Sequence, residues 1–218
     1  MKKRIVIVAL LVCILVLSIA STTIAYFTDT ETATNTFTAG KVEITLTETG
    51  LDGNDIVINE SPVTTAYGEL YPGKVVAKNP TITVASDSKT AYIGAVITIK
   101  NTEGDGDIST MLTDVDNDPN DKIVAINEFL DGLINTGATV TYKQITKGWE
   151  VYVVIEATQA ANAEIVLFNN VVVPDSWDNA EMAHCNHLSI VVDAYATQVD
   201  GMENGALAAL QAAFDVFD

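Results

Sequence analysis

Cysteine is scarce in this chain: two in 218 residues, Cys13 and Cys185. Cys13 sits inside an apolar N-terminal run, so no intrachain disulfide can staple the folded part. Stability has to come from a buried core, which the roughly 190 residues beyond that N-terminal segment are enough to form. Basic residues are scarce too. There are 11 Lys and Arg against 29 Asp and Glu, a net charge of −18, and such a field repels nucleic acid and anionic membranes. Only two histidines occur, His184 and His187, and the chain has no His-Glu-x-x-His, no Gly-x-Ser-x-Gly and no phosphate-cradling glycine loop. The parts of the common hydrolase centres are therefore missing, and the chain reads as a non-enzyme. Internal repeats are absent, as are a Leu-Pro-x-Thr-Gly signal and an apolar C-terminal anchor, so any wall attachment is expected to be indirect.

What the sequence does have is an export label. Lys2, Lys3 and Arg4 precede the unbroken apolar run from Ile5 to Leu17, and a small polar stretch from Ser21 to Ala25 follows. That order is a signal peptide, and the run is short of the roughly 20 apolar residues a membrane span needs. Cleavage is expected after Ala25, with Tyr26 as the first mature residue; Ala20 is the competing site. The chain then divides into a signal peptide, 1–25, and a single domain, 26–218, that touches the membrane only as a precursor. The mature part keeps 8 basic and 29 acidic groups, a net of −21.

Alternation of apolar and polar residues, the signal of half-buried strands, recurs along the mature chain. Val42, Ile44 and Leu46 share one face, as do Ile93, Ala95, Ile97 and Ile99, and Trp149, Val151, Val153 and Ile155. The longest alternation runs Leu188, Ile190, Val192, Ala194, Ala196. Less regular apolar stretches at 56–58, 75–84, 138–142 and 165–173 bring the expectation to seven to nine strands. Two segments follow helical spacing instead: Ile126, Phe129, Leu130, Leu133 and Ile134, with Asp118 as cap and Pro119 at the first turn, and Leu207, Leu210, Phe214 and Phe217. A short helical turn is also expected around Trp177 to Ala183. Many strands and few helices, without strand–helix alternation, predict a mainly β chain: an antiparallel β-sandwich, with jelly roll the preferred topology and one or two helices in connections and at the C-terminus.

Ala25-Tyr26-Phe27-Thr28-Asp29-Thr30, then Thr34-Asn35-Thr36-Phe37-Thr38-Ala39-Gly40 and an alternating strand, resemble the TasA/camelysin family of secreted proteins of Gram-positive bacteria. The likeness is specific over residues 22–48, looser at Tyr71-Pro72-Gly73-Lys74 and faint in the last strand. It implies processing by a SipW-type signal peptidase, a jelly-roll fold, and self-assembly into fibres of an extracellular biofilm matrix alongside other matrix proteins. It further implies that the mature N-terminal segment, 26–40, acts as a donor strand for a neighbouring subunit. The residues suit that role. Thr28, Thr30, Thr32, Thr34 and Thr36 favour extended backbone, no Pro, Gly, Lys or Arg interrupts Thr28 to Thr38, and Tyr26, Phe27 and Phe37 can set register by filling pockets. A flexible leader is the plainer account of the same residues, and a monomeric surface adhesin or accessory matrix protein is the plainer account of the whole.

Two clusters carry metal-ligand chemistry in principle. Asp114, Asp116 and Asp118 alternate like the opening of a calcium loop, but Pro119 stands where the loop needs Gly and Ala125 where it needs the bidentate Glu. An acidic turn leading into a helix accounts for them, with weak Ca²⁺ binding there or at Asp105 and Asp107 as the alternative. No other cofactor is expected. His184, Cys185 and His187 are of zinc-ligand type, and some camelysin-like members are described as metallopeptidases. Yet no Glu adjoins the pair as a base, and on a strand the two histidines would point to opposite faces. Cys185 remains either a free thiol or an intermolecular crosslink. Trp149, Trp177 and Tyr152 are expected in the core rather than on a carbohydrate-binding surface.

Overall fold

The computed structural model describes residues 41–49, 55–58, 69–113, 122–133, 137–202 and 204–214. All of them belong to one unit, Gly40–Asp218. The signal peptide, the Ala25–Tyr26 junction, the donor segment with Phe27, Thr28, Thr30, Thr32, Thr34, Thr36 and Phe37, and the acidic triplet Asp114, Asp116 and Asp118 lie outside the described residues.

The chain is mainly β, in antiparallel sheets with few helices. In one four-stranded sheet β1 (Ile44–Thr49) lies between β2 (Asp55–Ile58) and β4 (Thr81–Val84), and β11 (Glu164–Val166) adds to the far side of β4. The other, longer sheet runs β13 (Leu188–Gln198), β5 (Ala91–Asn101), β10 (Gly148–Gln159), β9 (Ala138–Ile145). A small sheet joins β3 (Val75–Ala77), β12 (Asn170–Val172) and β8 (Leu130–Asp131), and the two-residue strands β6 (Leu112–Thr113) and β7 (Val124–Ala125) form the one parallel pair among the described residues.

The two large sheets share one core, the layered arrangement of a β-sandwich. Ile93, Ala95, Ile97 and Ile99 of β5 are fully buried in it beside Val151 and Val153 of β10, and Ile82 and Val84 of β4 come from the other sheet. The alternation in sequence thus marks the inward face: antiparallel register sets Ile97 opposite both Val151 and Val192, so the apolar positions of three strands line up.

Thirteen described strands exceed the seven to nine expected because two apolar stretches are each divided between sheets and because β6, β7 and β8 are additional two-residue strands. The stretch 75–84 breaks at Lys78-Asn79-Pro80, where Pro80 has no N–H to donate, and its halves join different sheets. The stretch 165–173 divides likewise into β11 and β12. The helix expected over Ile126 to Ile134 is reduced to α1 (Ile126–Phe129), and Leu130 passes directly into β8. Ile126, Phe129, Leu130 and Leu133 are fully buried all the same. The apolar spacing marked the core-facing side chains correctly and misstated the backbone that carries them. The expected turn near Trp177 is α2 (Asn179–Met182), closed by a capping box between Asp178 and Glu181 and continued by a 3-10 turn, Ala183–Cys185.

At the C-terminus α3 (Gly205–Phe214) lies on the outer face of the long sheet. Ala206, Leu210 and Phe214, spaced four apart, face the sheet, while Leu207 is 38% exposed. The stripe that faces the sheet therefore begins at Ala206 rather than at Leu207. Phe217 lies outside the described residues.

Candidate assembly edge and the residues around it

β13 is the end of the long sheet and has one neighbour, β5, among the described residues. The ladder continues past both of its ends, since Thr102 N–H donates to the His187 carbonyl and Val199 N–H to the Thr90 carbonyl. In an antiparallel pair, alternate residues direct both backbone groups at the partner. Odd-numbered residues of β13 consequently spend their N–H and C=O on β5, and Ile190, Val192, Ala194 and Ala196 direct theirs to the open side.

The side chains of those same residues turn toward the main core. Val192 is buried, whereas Leu188, Ile190, Ala194 and Ala196 are only partly so, packed against the core margin. β1 comes close to β13 from the other sheet, and Val42 and Ile44 are likewise half-buried at that margin. An extended segment laid along β13 would meet a row of backbone donors and acceptors and, beneath it, apolar side chains still to be covered. The strand's own residues include few of the usual guards: Leu188–Gln198 contains no Lys, Arg, Pro or Gly, and a single charge, Asp193.

On the other large sheet, β1 is bound to its surroundings by a buried ion pair. Glu48 meets the ammonium of Lys78, each side chain 5% exposed. Burial lowers the Lys78 pKa from its ordinary value and outweighs the opposing pull of Glu48. The pair links β1 to the break between β3 and β4.

His184, Cys185 and His187 precede the last strand rather than lying on it, which corrects the opposite-face argument. His184 and Cys185 belong to the 3-10 turn, and His187 takes a left-handed backbone, φ 61°. His184 Nδ1 lies 3.1 Å from the Asp107 carbonyl oxygen, and the His184 carbonyl accepts from the Asn101 amide. His187 Nδ1 is 3.8 Å from Glu103. Cys185 is buried and free, and burial pushes its thiol up to about 12, which argues against a surface crosslink. Among the described residues no three His, Cys, Asp or Glu side chains converge to hold a metal ion.

Asp107 has a local task, its carboxylate accepting from the Ser109 N–H at 3.0 Å and hydroxyl at 2.7 Å to cap the turn Ile108–Thr110. Trp177 and Tyr152 are buried, and the Trp177 indole donates to the Lys122 carbonyl at 2.7 Å. Among the described residues no helix is long and apolar enough to cross a membrane.

Sequence reasoning found the strand β13 and its inward face. It missed that β13 stands at an edge, since pairing order leaves no local trace and a strand without Lys or Arg reads as a central one. The chain matches no protein-family model, no curated protein and no solved structure.

Proposed function

We propose that the chain is an exported, non-enzymatic structural subunit of an extracellular fibre, assembling by addition of one subunit's mature N-terminal segment to the sheet of the next. The observation that carries the reading is the edge at β13: long, nearly uncharged, and underlain by half-buried Ile190, Ala194 and Ala196. Strand addition uses main-chain hydrogen bonds for affinity and alternate side chains for register. The Thr28 to Thr38 segment supplies extended backbone, and Tyr26, Phe27 and Phe37 supply the apolar side chains to cover the margin. The resemblance of residues 22–48 to the TasA/camelysin family supports the same role, with a SipW-type peptidase freeing the segment at Ala25–Tyr26 and the biofilm matrix as destination. With a mature net charge of −21, subunits repel one another at low ionic strength. Salt, acid or divalent cations such as Ca²⁺ therefore favour assembly.

The test compares the secreted protein starting at residue 26 with one starting at residue 40, by electron microscopy across salt, calcium and pH. Filaments from the first and not from the second are expected, with inhibition of the first by a peptide of residues 26–39. Filaments from the shortened chain would sink donor-strand assembly, and failure of both to polymerise favours a monomeric adhesin or accessory matrix protein.

A further inference from the structure

We propose that the outer face of the long sheet is a helix-binding socket, filled in this chain by its own α3 and able to take the same helix from a second copy. It lies across the sheet from the main core, and its argument is independent of strand addition.

The socket is built for its occupant. Phe214 stands between two tyrosines, 5.8 Å from the Tyr152 ring and 5.4 Å from that of Tyr195, the latter edge-on at 87°. Its floor is Gly94, where a Cβ would come within 2.7 Å of Phe214 Cζ and 2.9 Å of Leu210 Cδ1. Val96 and Val154 complete the surface under Leu210 and Ala206. The recognised pattern is an uncharged helix with a small residue, a leucine and a phenylalanine at four-residue intervals.

Three observations make α3 exchangeable. First, its contacts form a cluster of their own: Ala206, Leu210 and Phe214 bury Val96, Tyr152 and Val154, apart from the main core. Strands β5 and β10 pair with each other along nine register positions and bury their opposite side chains in that core, so their ladder does not depend on α3. Second, α3 follows a connection with left-handed glycines, Gly201 and Gly205, at φ of 85° and 82°. A helix of ten residues is not stable alone in water, so detachment and unfolding coincide and docking refolds it. Third, Gly205–Phe214 carries no charge in a chain of net −18. A second copy's helix therefore brings no like charge onto the sheet, and every copy carries both halves of the fit. Exchange of an identical element needs no new complementary surface.

The experiment uses the full chain. Hydrogen exchange should show the α3 amides opening together, at least about tenfold faster than those of β5 and β10. In a Phe214→Ala chain, whose own helix is weakened, a fluorescent peptide of residues 204–214 should bind saturably by anisotropy. Tyr195→Ala in the same background, a half-buried position off the main core, should weaken that binding at least about fivefold. Gly94→Val should abolish it while β5 and β10 keep their protection; should Gly94→Val fail to fold, the Tyr195→Ala comparison decides. Exchange of α3 in step with β5, absence of peptide binding to Phe214→Ala, or binding indifferent to Tyr195→Ala overturns the proposal.

Discussion

Gly94 lies directly beneath Phe214, and the hydrogen in place of a side chain is what lets the C-terminal helix reach the sheet: a methyl there would sit 2.7 Å from the ring. β5 otherwise carries a side chain at every position of its outward face next to Gly94, including Tyr92 and Val96.

Gly94→Ala should therefore destabilise the chain by about 1–3 kcal/mol, the range for overpacking, even though alanine suits a strand better than glycine. Urea unfolding monitored by tyrosine and tryptophan fluorescence measures it. A neutral or stabilising result would mean that α3 shifts without loss.

The ion pair Glu48–Lys78 is predicted to cost more to break than to replace. Removing one partner, as in Glu48→Leu, leaves a buried charge and should cost about 3–5 kcal/mol, whereas Glu48→Leu with Lys78→Met should be near neutral or stabilising. A double-mutant cycle in chemical denaturation reads the coupling. Since burial lowers the Lys78 pKa, the folded chain sheds this proton before the unfolded one does, and stability from this group rises with pH up to its ordinary value of 10.5.

Cys185 should resist thiol reagents at pH 8 in the folded chain and react fully in denaturant, because the thiolate is disfavoured by burial. Its folded pKa, about 12, lies above the ordinary value of 9.0. The folded chain thus holds a proton that the unfolded chain releases: this contribution is complete below pH 9 and is lost as pH rises toward 12. Cys185→Ala should flatten that part of the alkaline unfolding profile, and an unchanged profile would assign the loss elsewhere.

At the edge strand, the direction of each N–H separates assembly from folding. Ala194→Pro removes a donor aimed at the open side and should leave the fold intact while suppressing filaments. Tyr195→Pro removes one that serves β5 and should cost about 3 kcal/mol or more. Circular dichroism and electron microscopy of both variants check it; filaments of normal yield from Ala194→Pro would place strand addition at another edge.

Much of this fold was legible in the sequence where local periodicity and burial coincide. Ile93, Ala95, Ile97 and Ile99 announce an inward face, and Leu188 to Ala196 announce another, because a strand buried on one side has to alternate. Legibility failed where the period changes within a few residues. At Phe129-Leu130 the chain passes from one turn of helix into a strand without a break in apolar spacing, and at Lys78-Asn79-Pro80 one apolar stretch is shared between two sheets.

The sequence by itself determined that the chain is mainly β, strongly acidic and poor in cysteine, and which side chains its longer strands turn inward. These are properties of composition and of two-residue spacing, and they need no knowledge of neighbours. Tertiary structure alone decided that β13 stands at an edge, that Glu48 finds Lys78, and that Gly94 makes room for Phe214. Each of those depends on residues brought together from distant parts of the chain, and pairing across such a distance is set by the packing of whole sheets rather than by any local pattern.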